Sequence, residues 1–263
     1  MIDKTQYNAL APIYDDVMFD VDYEVWADFI DSLLQIHHPR PIELLELACG
    51  TGTFALSLDK LQCYNILATD KSNRMLDVAR KKASRAGQKG NLAFRQLDFT
   101  NIDLDQEQRF DAAIMLFDSL NYLHQKEQIV DLLNQVFHIL NDNGLFIFDF
   151  TTPRNSRIAI KTLDKETGRS GSQFKYHRRS TYSEEKRLHS NEFFIQEWDD
   201  SKNKLVKTYR ELHQQKIYTL SEVMEMIEQS PFKIAAKYSG FDLIEANEKS
   251  LRITVVLRCR KTL

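Results

Sequence analysis

One short stretch brings together residue types that could hold a ligand: Glu46-Leu47-Ala48-Cys49-Gly50-Thr51-Gly52-Thr53-Phe54. An apolar run ends in two glycines, and a helix-compatible segment follows. Gly50 and Gly52 let the backbone turn sharply and admit a ligand where a Cβ would otherwise stand. The helix that follows points free N–H groups at whatever sits there. A dinucleotide fingerprint would carry a third glycine, but Phe54 and Ala55 occupy that region. Alone, the turn could equally be a tight strand–helix connection. Two acids give it context. Asp70 lies twenty residues after Gly50 and ends a second β-prone run, where a carboxylate can accept hydrogen bonds from both ribose hydroxyls. Asp98, in Gln96-Leu97-Asp98-Phe99, ends a third. It can accept a hydrogen bond from an exocyclic adenine amine, with Phe99 beside the ring. Each acid by itself could cap a helix or face water. Open α/β sheets bind ligands at successive strand ends, where all three features fall.

These residues need a frame, and the hydrophobic pattern supplies one. Residues 22–36 carry Val25, Trp26, Phe29, Ile30, Leu33 and Leu34 at helical spacing, and the His37–Pro41 segment breaks that helix. Strands are expected at 43–48, 64–69, 91–96, 112–117 and 145–150. Helices are expected at 53–61, 72–86 and 125–140, the last closed by Asn141-Asp142-Asn143-Gly144. Ala112 to Phe117 is apolar throughout, as a strand covered on both faces should be. The alternation predicts right-handed crossovers and a doubly wound α/β sheet. After Pro153 the pattern changes. Residues 172–216 are polar, aromatic and β-prone, with turns at 183–186 and 199–203, and read as three antiparallel strands with one face packed and one wet. A helix at 221–229 and strands at 232–238 and 251–258 finish the chain. The expected organisation is a helical N-terminal lid (1–38), a core (39–153 with 217–263) and an inserted antiparallel β lid (154–216).

Composition narrows the function classes. The chain has 263 residues, 43% of them hydrophobic, and a net charge of −3, so it can bury a core and is no disordered chain. A general nucleic-acid coat is disfavoured by that charge. Residues 154–187 hold ten basic residues and four acids; they could attract an anionic substrate or form a solvated face. Three scattered cysteines, Cys49, Cys63 and Cys259, build neither a disulfide framework nor a zinc knuckle. No signal peptide or membrane span is visible, so a cytoplasmic location is expected.

The glycine stretch, Ala68-Thr69-Asp70-Lys71-Ser72-Asn73-Arg74-Met75-Leu76, Leu97-Asp98-Phe99 and Phe110-Asp111-Ala112-Ala113-Ile114 together resemble the class I S-adenosylmethionine-dependent methyltransferases. The resemblance runs from Tyr7 to the final strand. It implies a Rossmann-like seven-stranded sheet whose last strand is antiparallel, and S-adenosyl-L-methionine as cofactor. It also implies site residues. Glu46 would lie near the cofactor's amino-acid end, with Ala48, Gly50 and Gly52 offering backbone. Asp70 would hold the ribose within the Asp70–Met75 segment that also carries Lys71, and Asp98 with Phe99 the adenine. Leu116 or Phe117 would flank the methionine portion. The opening from Tyr7 to Met18, with Tyr14-Asp15, is similar to that of a small-molecule branch including sugar-amine and glycine N-methyltransferases. There the segment folds over the cofactor, so Tyr7 and Tyr14 could point hydroxyls at cofactor or acceptor, or could simply pack the lid.

Departures count too. No Asn/Asp-Pro-Pro-Tyr follows the fourth strand, which reads on as Phe117-Asp118-Ser119-Leu120-Asn121-Tyr122; this disfavours amino methylation of nucleic-acid bases. Asp118 and Asp149 end neighbouring strands as metal ligands can, but no Asp-Asn pair follows Asp149, and no metal is expected. Methyl transfer is an in-line displacement, so positioning can carry much of the catalysis, about 7–11 kcal/mol, with a base for an amine or hydroxyl. Tyr14, Asp118 and His213 are the catalytic candidates, with His124 and His177 also near strand ends or the lid. The expected partner is a small-molecule substrate, which an enclosing lid favours. Methylation of RNA or protein, a nicotinamide oxidoreductase and a silent nucleotide-binding module remain the alternatives.

Overall fold

The computed structural model describes residues 7–87, 90–105 and 107–261. Five adjacent parallel strands make up most of a seven-stranded sheet, with β3 at one edge: β1 (Glu43–Leu47), β2 (Asn65–Asp70), β3 (Asn91–Gln96), β4 (Phe110–Met115) and β5 (Leu140–Thr151). Two more, β10 (Lys233–Ser239) and β11 (Arg252–Arg258), complete it in the order β10-β11-β5-β4-β1-β2-β3. The final strand, β11, runs antiparallel to both neighbours, as the resemblance implies.

The period of two in a strand sorts the core into two layers. Leu45, Leu47, Met115, Phe146, Phe148 and Val255 face helices α5 (Lys126–Ile139) and α7 (Leu220–Glu228). Leu44, Ala112, Ile114, Ile147 and Val256 face α2 (Tyr23–His37), α3 (Thr53–Asp59) and α4 (Asn73–Ala86). Asp22 caps α2 by accepting the N–H groups of Glu24 and Val25. Its Trp26, Phe29, Ile30, Leu33 and Leu34 are buried against the sheet layer, so α2 is part of the core packing and the covering segment is shorter, residues 7–18.

A second sheet has four antiparallel strands: β6 (Thr167–Ser170), β7 (Phe174–Ser183), β8 (Leu188–Asp199) and β9 (Lys204–Lys216). Three were expected. Thr-Gly-Arg-Ser at 167–170 has no apolar residue to mark it, and pairing with β7 makes it a strand. A helix the pattern did not show, α6 (Pro153–Leu163), leads into this sheet with Thr152 as its N-cap. The short helical turns η1 (Ala11–Ile13) and α1 (Tyr14–Val17) lie between core and lid. Ala9, Leu10, Ile13 and Val17 bury themselves against Tyr176, Phe193 and Ile195 of the lid in a small core of their own. Among the described residues no helix is long and apolar enough to cross a membrane.

Candidate active site

Strand β1 ends in the glycine loop, and the loop, α4 and the ends of β2 and β3 enclose a cavity of about 860 Å³. Ala48, Gly50, Asp70, Lys71, Met75, Asp98 and Phe99 line it. Gly50 has φ +55°, and a Cβ there would meet only the Tyr14 ring, at 4.0 Å; the backbone is therefore open to a ligand lying under that ring. Asp70 shapes the loop, since its two oxygens accept the N–H groups of Gly50 (2.9 Å) and Ser72 (2.7 Å). Burial raises its carboxyl, against the pull of those two bonds. Asp98 accepts from the Thr100 N–H (3.0 Å) and hydroxyl (2.7 Å), and its other oxygen meets Lys71 Nζ at 2.6 Å. Burial would raise Asp98, but the ammonium and the Thr100 donors outweigh it and hold the group below the usual carboxylate range. The set is two strand-end carboxylates, an aromatic edge and a glycine-opened backbone. These fit the hydroxyl pair, the amine and the ring of an adenosine, and so fit S-adenosylmethionine.

The N-terminal segment closes this cavity from above. Asp15 accepts a hydrogen bond from the Thr51 hydroxyl (2.6 Å) and pairs with Lys82 (2.8 Å), which fastens the segment to the glycine loop. Glu211 on β9 fastens it to the lid: its carboxylate takes the backbone N–H groups of Tyr7, Ala9 and Leu10. Tyr14, between the two clasps, sits over Gly50. Burial pushes its hydroxyl well above the ordinary tyrosine range, and among the described residues that hydroxyl has no hydrogen-bond partner.

Beyond Tyr14 lies a second cavity of about 600 Å³, walled by the inner face of the lid. Tyr7, Tyr14, Phe117 and Tyr122 line both cavities and form the passage between them. The lid contributes Arg178, His189, Asn191, His213 and Gln215. Arg178 pairs with Glu166 at 2.7 Å, which also accepts the Tyr176 hydroxyl at 3.0 Å. Its Nε–H and the Asn191 Oδ1 are buried without a partner. Unmet buried polar atoms of this kind cost about 1–3 kcal/mol each, and a polar ligand in the cavity would satisfy them.

Several expected site residues are placed differently. Leu116 points into the core layer with Phe54 and Ile114, and it is Phe117, in a left-handed conformation, that reaches the cavities. Gly52 does not line the cofactor cavity. Its missing Cβ makes room for Phe94 (2.8 Å) and Ala79 (2.9 Å), so it serves loop packing. Glu46 is buried behind the loop, with one oxygen unpartnered; burial, with Asp70 nearby, pushes its carboxyl up to about 8. Asp118 is committed to other partners: Arg252 at 2.6 Å and the Gln215 amide, while Arg252 also pairs with buried Asp149. A carboxylate held by two donors is a strut more than a base. Burial raises Asp149 to about 6, against the pull of Arg252. His124 bonds the Gln214 carbonyl at an exposed position and His177 stacks on Phe194, both away from the cavities. Of the three, only His213 lines one. The pattern did not single out Tyr122, Arg178 or Glu211. The alternation Glu211-x-His213-x-Gln215 could have flagged a polar inner face. Among the described residues no three His, Cys, Asp or Glu are arranged to hold a metal ion.

Residues 44–144 match the methyltransferase domain family. Over its length the chain is similar to YqeM of Bacillus subtilis (strain 168), an inferred methyltransferase, with 26% identity over 259 residues and 98% of each chain covered. It is similar in structure to an S-adenosylmethionine-dependent methyltransferase from Clostridium acetobutylicum ATCC 824, with a TM-score of 0.75, 24% identity, and 97% of this chain and 99% of that one covered. A second structure is the sugar N-methyltransferase KedS8 from Streptoalloteichus sp ATCC 53650, with a TM-score of 0.71, 16% identity, and 99% and 98% covered. At these identities the two solved structures share the fold. Sequence match in the cofactor half and shared fold from end to end agree: residues 44–144 match a methyltransferase domain, and the whole chain has the fold of the S-adenosylmethionine-dependent methyltransferase it resembles.

Proposed function

We propose that the chain transfers a methyl group from S-adenosylmethionine to a nitrogen or oxygen of a small polar molecule held under the lid. The observation that carries this reading is the pair of cavities joined through Tyr7, Tyr14, Phe117 and Tyr122. The cofactor, when bound, supplies an already activated methyl group. What remains for the protein is to align the acceptor and keep water out. Asp70, Asp98 and Phe99 would hold the adenosine, and the Tyr14 ring would cover the loop. The free Tyr14 hydroxyl can orient the acceptor or face the polarised methyl, contacts that count most in the transition state. The unpartnered Arg178 N–H favours an acceptor bearing an oxygen, and the sugar substrate named for KedS8 is of that kind.

An RNA or protein acceptor fits less well. Four arginines of the basic stretch are engaged internally: Arg157 with Glu184, Arg178 with Glu166, Arg179 with Glu192 and Arg187 with Glu222. Incubation with methyl-labelled S-adenosylmethionine and a fractionated cell extract tests the proposal. Label should appear in the small-molecule fraction. Label confined to RNA or protein would overturn the choice of acceptor class.

A further inference from the structure

Four side chains, Glu211, His213, Tyr122 and Tyr7, form a file from the lid interior to the passage between the cavities. Glu211 is fully buried. Its Oε1 lies 2.9 Å from His213 Nε2, within ion-pair reach though off the line of a hydrogen bond. The other ring nitrogen, Nδ1, is 3.3 Å from the Tyr122 hydroxyl. That hydroxyl is 2.5 Å from the Tyr7 hydroxyl. Both tyrosines line both cavities, so an acceptor presenting its nucleophile to the cofactor side must place it beside them.

We propose that His213, held by Glu211, drains the acceptor's proton through Tyr122 during methyl transfer, with Glu211 as the positioning residue. This rests on the methyltransferase reading above. The acceptor's O–H or N–H gives its proton to the Tyr122 oxygen while the Tyr122 hydroxyl proton passes to Nδ1 of neutral His213. The acceptor heteroatom keeps the bonding pair, Tyr122 ends neutral, and the new imidazolium lies against the Glu211 carboxylate. Tyr7 hydrogen-bonds Tyr122 and holds its hydroxyl in line. Burial keeps both tyrosine hydroxyls protonated, so they pass protons on and the imidazole is the acceptor in the file.

The ring is enclosed on every side. Glu211 faces it from its own strand, Tyr122 from the turn after β4, the Tyr7 ring at 4.4 Å from the N-terminal segment and the Phe193 ring at 5.8 Å from β8. Asp20, Asp22, Asp118, Glu166, Arg178 and Arg252, with His189, are the charged and titratable groups that share its cavity. Because Glu211 also takes the N–H groups of Tyr7, Ala9 and Leu10, the file is complete only when that segment is seated.

The mechanism requires the resting proton of His213 on Nε2, facing Glu211, with Nδ1 bare. The hydrogen bond made by one ring nitrogen decides which tautomer is present. Nitrogen-15 NMR of the full chain, labelled at histidine and recorded without cofactor at a pH that leaves the ring neutral, reads this directly. The His213→Gln spectrum assigns the signal. The expected result is a wild-type Nε2–H ring whose Nδ1 resonance shifts in Tyr122→Phe. In Glu211→Leu the ring should relax toward the tautomer mixture of free imidazole. A wild-type proton on Nδ1 overturns the proposal, because the ring would then donate to Tyr122 and could not accept from it. A Glu211→Leu ring that keeps the wild-type tautomer removes Glu211 from its role. The wild-type spectrum decides even if a variant fails to fold. Titration of the wild-type protein with S-adenosylhomocysteine separates the two readings: binding together with an Nδ1–H ring sinks the relay alone, while absence of binding sinks the methyltransferase reading.

Discussion

The two glycines of the loop should respond differently to one added carbon, and the structure says how. Gly52 has φ +72°, and its new Cβ would lie 2.8 Å from Phe94 and 2.9 Å from Ala79. Left-handed backbone costs an ordinary residue about 1–2 kcal/mol. Forcing a methyl into a packed space adds about 1–3 kcal/mol. Gly52→Ala should therefore lose about 2–5 kcal/mol of stability, read as a shift in urea midpoint at constant slope. Gly50, with φ +55°, carries the backbone term alone, because its Cβ would meet only the Tyr14 ring at 4.0 Å. That Cβ would, however, stand where the cofactor approaches the loop. Gly50→Ala should lose about 1–2 kcal/mol of stability and bind S-adenosylhomocysteine at least tenfold more weakly, about 1.4 kcal/mol. Equal stability losses in the two variants, or full ligand affinity in Gly50→Ala, would refute the division of labour within the loop.

Asp70→Ala should weaken cofactor binding by about 1.5–3 kcal/mol, the range for hydrogen bonds to a charged group, and also lower the melting temperature, since Gly50 and Ser72 lose their acceptor; unchanged affinity by calorimetry would leave Asp70 a loop anchor only. Tyr14→Phe should reduce turnover while cofactor affinity and melting temperature stay put, because no described partner of the hydroxyl is lost; wild-type turnover with an identified acceptor would remove Tyr14 from catalysis. Glu46 is raised when folded, to about 8, so its contribution to stability is complete below the unfolded carboxyl range and is lost as pH climbs through 8. Wild type should thus lose stability relative to Glu46→Gln between about pH 4.5 and 8, by at most about 1.4 kcal/mol per unit, and parallel urea-stability curves for the two proteins would contradict that. Hydrogen exchange of Tyr7–Met18 should slow when S-adenosylhomocysteine binds, as for a closing segment; equal protection with and without ligand would mean the cover does not respond to the cofactor.

The cofactor half was legible because its signals are local. Two glycines, Asp70 and Asp98 each sit at the end of an apolar run, and strand period plus chirality set the rest. Gly52 was misjudged because a missing Cβ has the same signature whether it admits a ligand or a Phe94 ring. Asp118 was misjudged because its partners, Gln215 and Arg252, come from strands far along the chain. The lid was the least legible part. Alternating polar residues on β9 normally mark a wet face, yet Glu211 and His213 are buried, since the polar face is the one that lines the second cavity. Glu211 becomes a clasp only when a segment some two hundred residues away docks on it, and no local pattern carries that information.

The most direct test is calorimetric titration of the purified chain with S-adenosylhomocysteine, with NAD as the comparison ligand. The account predicts one site per chain for the former, weakened in Gly50→Ala and Asp70→Ala, and no measurable heat from NAD. Tight NAD binding, or no binding of S-adenosylhomocysteine by a folded protein, would contradict it.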